Sequence, residues 1–206
     1  MDSLNDDLKA LIGDPLAFLG EERVEMRRMA ASILGERSNE KTVAVALASL
    51  LGSDPEVSVR AAAAEALAAS SDPAPLLAAG DDDATEVREA VAFALGEIGE
   101  ADALPWLMGT ATEDSDDGAR EAAVAALGAI GDNTSLPLLV ELSSAAPPKV
   151  RRRAVVALSA FESADALAAI QAALEDRNPM VKEVAEMVAG GGADDLLWPT
   201  RLPSGD

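Results

Sequence analysis

The side chains that could do chemistry in this sequence are almost all carboxylates. Asp and Glu total 37 against 16 Lys and Arg, and His, Cys and Tyr are absent. Without His the commonest general base, metal ligand and triad partner is missing. Without Cys there are no thiolate ligands or disulfides, so nucleophilic catalysis would rest on unassisted Ser or Thr. Two acidic clusters, Asp81-Asp82-Asp83 and Asp114-Ser115-Asp116-Asp117, offer oxygen ligands, but neither follows the spacing of a calcium loop. Carboxylates at a helix start are favoured by the helix dipole in any case. Gly190-Gly191-Gly192 leads into Ala-Asp-Asp, the wrong charge for an anion nest, and no phosphate-loop signature occurs. The residues predict no catalytic group, no metal and no cofactor. They point to binding.

The basic residues are periodic. Arg27, Arg60, Arg88, Arg120, Arg151 and Lys182 recur at intervals of 33, 28, 32, 31 and 31 residues. Met26, Val59, Val87, Ala119, Val150 and Val181 stand one place before them. Ala30, Ala63, Val91, Ala123, Ala154 and Ala185 stand three places after, and Leu34, Leu67, Leu95, Leu127, Leu158 and Ala189 seven after. Six places before each anchor come Glu21, Asp54, Asp82, Asp114, Ala145 and Asp176. A fixed period in this range marks stacked helix pairs, each unable to bury its apolar face alone.

The stretches 54–67 (DPEVSVRAAAAEAL), 84–99 (ATEVREAVAFALGEIG) and 148–161 (PPKVRRRAVVALSAF) resemble HEAT repeats, most nearly the short HEAT-like type of the bilin (phycocyanobilin) lyases. The likeness runs over about residues 15–190. It implies an all-α fold, a right-handed α-solenoid of about six helix pairs, with the Val-Arg helix on the inner surface. It also implies a ladder of charges between adjacent repeats, using Glu21, Asp54, Asp82, Asp114 and Asp176 with Arg27, Arg60, Arg88, Arg120, Arg151 and Lys182. Ala145 leaves one step without an acid. Deoxyhypusine hydroxylases are HEAT-like too, but their di-iron site needs His-Glu pairs that this sequence lacks.

One repeat domain is expected over residues 1–190, with inner helices near 22–35, 55–69, 84–98, 117–130, 148–160 and 179–189. Gly13-Asp14-Pro15 interrupts the first outer helix, because Pro inside a regular helix loses a hydrogen bond. Pro105 and Pro137 sit near helix starts, where the missing N–H costs little. The 28-residue interval shortens the third repeat, as a simple deletion or as a hinge. Residues 191–206 form a Gly-led tail whose Leu196, Leu197 and Trp198 either cap the last repeat or dock elsewhere.

At about 100° per residue, the apolar columns of the inner helices point away from positions one, four, five and eight after the anchor. Those positions are expected to line a concave groove, the alternative for the valines being burial against neighbouring inner helices under tight superhelical curvature. In the later repeats they supply Phe93, Val124, Ala125, Val155, Val156 and Met187, with Glu89, Glu121 and Arg152 beside them. Exposed contiguous apolar surface marks partner sites. Trp106 is placed on the outer face.

The formal charge of −21 repels phosphate backbones and argues against nucleic acid. It has two readings, halophilic adaptation with self-repulsion screened by salt, or attraction of a basic partner. No stretch is apolar enough to insert in a membrane, and MDSLNDDLKA lacks a signal peptide's basic and apolar regions. The sequence reads as cytoplasmic, with a monomer favoured and the oligomeric state left open. The expected function is a non-catalytic protein-interaction scaffold that receives a partner segment with an apolar ridge and basic flanks. The alternatives are a bilin-lyase-like accessory holding a small apolar ligand, or a structural subunit of a larger complex.

Overall fold

The computed structural model describes residues 2–190, with side chains from Asp6 onward. The proposed roles of residues 191–206, including Leu196, Leu197 and Trp198, lie outside the described residues. Twelve α-helices run through the described residues and no strand occurs among them. They group into two compact units, Met1–Ile98 and Gly99–Asp206, although the sequence period runs through both.

The first unit holds three helix pairs: α1 (Asp2–Gly13) with α2 (Val24–Leu34), α3 (Lys41–Ser53) with α4 (Val57–Ala66), and α5 (Ala74–Ala78) with α6 (Thr85–Ile98). The second holds α7 (Leu104–Glu113) with α8 (Asp117–Ile130), α9 (Leu136–Ala145) with α10 (Pro148–Leu158), and α11 (Ala164–Ala173) with α12 (Pro179–Ala189). Within each unit the inner helices pack side by side, α2 on α4 on α6 and α8 on α10 on α12, each also resting on its own outer helix. α1 stops at Gly13 and a 3₁₀ turn, Pro15–Phe18, replaces its last turns. The deletion in the third repeat falls on α5, which is only five residues long.

The periodic columns build the core. Leu34, Leu67, Leu95, Leu127 and Leu158 are all 0–1% exposed; a leucine so buried contributes roughly 1.5–3 kcal/mol over an exposed one. The Ala/Val column three after the anchor is fully buried throughout. With so few aromatics the space between helices is closed by close approach. A Cβ added at Gly128 would stand 2.7 Å from Ala157 Cβ and 2.8 Å from Ala157 Cα, so only glycine allows α8 to lie that close to α10. At Gly35 the matching contact is looser, 3.3 Å from Ala66 Cα.

Candidate interaction surface

The charged columns form rungs between successive repeats. The guanidinium of Arg27 makes two hydrogen bonds to Asp54, Nε to Oδ2 at 2.7 Å and Nη2 to Oδ1 at 3.0 Å. Arg60 does the same to Asp82 at 2.7 and 2.8 Å, and Arg151 to Asp176 at 2.8 and 2.7 Å. Such forked, charge-assisted pairs are the strong ones. In each case the third nitrogen turns back onto the start of its own helix. Nη1 of Arg27 donates to Glu21 O, that of Arg60 to Asp54 O, that of Arg88 to Asp82 O, and that of Arg151 to Ala146 O, at 2.8–3.0 Å.

The aspartate does two jobs. Besides closing their rungs, Asp54, Asp82 and Asp176 each accept, at Oδ1, the N–H two residues on, from Glu56, Ala84 and Asn178; Asp114 Oδ1 accepts the Asp116 N–H in the same kind of turn. This turn aims the chain into the inner helix. Burial opposes ionisation of Asp54, but its bonds from Arg27 and Glu56 N–H hold the carboxyl below the ordinary aspartate range. Asp82 and Asp176 are lowered chiefly by their hydrogen bonds from Arg60 and Arg151.

Three expected ladder members behave otherwise. Glu21 has no preceding repeat to pair with among the described residues; its carboxylate accepts from Arg23 Nε at 3.1 Å. Lys182 Nζ lies 3.8 Å from Glu175, a point charge without the fork a rung needs. In the register of the rungs, the acid that Arg120 would meet falls at position 145, which is alanine. Arg120 Nε donates instead to Ala111 O at 3.1 Å, a last-turn carbonyl of α7 left over by the helix, and Nη1 lies 3.6 Å from Asp117.

The groove assignment needs correction. Val124 and Val155 are 0% exposed, as are Ala31, Ala64 and Ala92 in the same column. These positions are core, because an inner helix packs on its neighbouring inner helices as well as on its outer helix. A helical wheel with one buried face cannot show this. Only the last copy, Glu186, is exposed. The small column eight after the anchor is likewise a contact surface, as Gly35 and Gly128 show.

Two columns remain accessible. In the second unit, position one gives Glu121 and Arg152, half-buried, and Glu183, exposed; position five gives Ala125 and Val156, half-buried, and Met187, 46% exposed. Glu121 on α8 accepts from Arg152 and Arg153 on α10 at 2.9 and 3.4 Å. The basic cluster thus splits: Arg151 is buried in a rung, while its two neighbours share one carboxylate beside the apolar strip. In the first unit, Glu89 and Phe93 of α6 occupy the same columns and are half-buried. Trp106 on outer helix α7 is half-buried.

Among the described residues no cluster of His, Cys, Asp or Glu is arranged to hold a metal, and no helix is long and apolar enough to cross a membrane.

The family model for HEAT repeats matches residues 14–84 and 73–147, and the model for the PBS lyase HEAT-like repeat matches residues 150–176. A comparison with curated proteins gives no match. Among solved structures, the complex of CpcE and CpcF of phycocyanin lyase from Nostoc sp. PCC7120 is 22% identical with a TM-score of 0.64, covering 87% of this chain and 76% of that one. An engineered protein is 19% identical with a TM-score of 0.54, covering 91% of this chain and 98% of its own. Human deoxyhypusine hydroxylase in complex with glycerol is 20% identical over 87% and 83% of the two chains, with a TM-score of 0.45. At these identities the first two likenesses concern the fold alone, and the third carries no argument.

Proposed function

Since the chain belongs to the HEAT-repeat family, we propose that it is a non-catalytic scaffold that holds a partner polypeptide against the accessible columns of its inner helices. One observation carries this reading. In the second unit Ala125, Val156 and Met187 form an apolar strip on three successive inner helices, beside the Glu121–Arg152–Arg153 cluster. An apolar strip with a charged margin suits a peptide segment with apolar anchors and flanking charges. The net charge of −21 favours a partner that is basic overall and speeds its encounter. In the first unit, Glu89 and Phe93 offer a smaller patch of the same kind. The lack of His and Cys leaves few means of catalysis, which supports the non-enzymatic reading.

The test is capture of a co-purifying protein at native salt, compared across variants shown to be folded by circular dichroism. Met187→Glu should weaken capture about tenfold or more, the scale of a lost apolar anchor. Trp106→Ala, on an outer helix, should leave it nearly unchanged. The opposite pattern would place the functional surface on the outer helices and end this reading.

A further inference from the structure

The break in the first outer helix leaves an opening that the other repeats lack a reason to have. α3 runs to Ser53, immediately before the rung aspartate Asp54; α7 runs to Glu113, immediately before Asp114. α1 instead ends at Gly13, and residues 14–22 reach Arg23 through a single 3₁₀ turn. A shorter cover over the second half of α3 leaves an open depression of about 670 Å³, in the size range of ligand sites, roughly 300–1,000 Å³. Its apolar lining comes from Leu16, Leu19, Ala46 and Leu50, and its polar lining includes Glu21, Glu22 and Asp54. Asp54 is committed to Arg27, and Glu21 to Arg23. Glu22 is exposed and its carboxylate makes no ion pair among the described residues. The only cation in the lining, Arg27, is already neutralised.

We propose that this depression is a second binding site, distinct from the inner-helix surface, that takes a protonated amine on a hydrocarbon stem, as a lysine side chain of a protein partner presents it. The stem would lie over the leucines and the ammonium at Glu22. An anion is excluded by the unpaired Glu22, and a bare metal ion by the apolar floor. This site does not rest on the scaffold reading, since the residues that line it, 16–55, lie outside the surface tested above.

The probe is 4-phenylbutylamine, titrated into the full chain in dilute buffer and followed by amide NMR, with 4-phenylbutanol as the neutral control and 4-phenylbutyrate as the anionic one. The amine should shift signals in residues 16–22 and 46–55 and bind about fivefold or more tighter than the alcohol. The butyrate should not bind there. Glu22→Gln should bring the amine down to the alcohol's affinity. Ala46→Trp, which fills the floor, should remove both; should it fail to fold, Glu22→Gln at an exposed position still decides. Equal affinity for amine and alcohol would overturn the proposal, and so would shifts spread evenly over the acidic surface. A short lysine peptide and its norleucine counterpart then separate the partner's side chain from a free amine: if the peptide leaves these signals unmoved while the amine shifts them, the lysine assignment falls.

Discussion

The two units solve the same joint differently. In the first, Arg27–Asp54 and Arg60–Asp82 are both closed by forked pairs. In the second, Arg151–Asp176 is closed, but Arg120, whose rung position is Ala145, turns to a carbonyl of its own repeat. The reason lies two residues further on. An aspartate at 145 would aim its Oδ1 at the N–H of residue 147, and that residue is proline, which has none. Pro147-Pro148 starts α10 by fixing the backbone, so the turn no longer needs an acid. With Ala at 145 neither the turn nor the rung forms at this joint.

The largest effect that bears on this comparison is loss of a closed rung. Arg151 is 1% exposed, so Arg151→Ala strands Asp176 and should cost about 3–5 kcal/mol in urea unfolding. Arg120→Ala, which removes one hydrogen bond to a carbonyl and a loose ion pair with Asp117, should cost about 0.5–1.5 kcal/mol. Equal losses would show that open and closed rungs do not differ. The pH dependence sharpens the point. The folded-state carboxyl of Asp176 is lowered by Arg151, so its contribution is complete above the unfolded value of about 3.9 and is lost as pH falls through the folded one. The difference between wild type and Arg151→Ala should therefore shrink below about pH 4.

A second contrast concerns helix approach. Gly128→Ala forces a methyl against the backbone of Ala157 and should destabilise by about 1–3 kcal/mol. Gly35→Ala meets Ala66 at a distance where a small shift suffices, and the better helix propensity of alanine offsets part of the strain. Thermal melts of the two variants should rank in that order. If Gly35→Ala proved the worse, the closer packing of α8 on α10 would be disproved.

The smallest effect is repair. Ala145→Asp alone should change stability by less than about 0.5 kcal/mol, because the new side chain has no turn to form. Combined with Pro147→Ala it should gain about 1 kcal/mol as turn and rung form together. Additivity of the two changes in denaturant melts would break the link between turn and rung.

The helix pairs were legible because the anchor columns repeat through Arg27, Arg60, Arg88, Arg120 and Arg151, and a missing acid at Ala145 can be seen in any alignment of the repeats with one another. The inner surface was not. Val124 and Val155 look free on a helical wheel, and only the contact of one inner helix with the next buries them. Nor could the sequence show that Arg152 and Arg153 converge on Glu121, since the pairing joins residues 31 and 32 positions apart. Nor does any periodicity show that Arg151 reaches both Asp176 and Ala146 O, a feature of the folded chain. Pro147, however, held the explanation of the open rung from the start.

Each closed rung runs one way, from an arginine to the aspartate of the repeat that follows it. A copying error that adds or drops one whole repeat within a run of closed rungs therefore brings the arginine of one copy against the aspartate of another, and the joint reforms. An error of half a repeat would juxtapose two like charges or none. The polarity of the rung thus makes length change by whole repeats tolerable, since each joint would reform between the same two residue types.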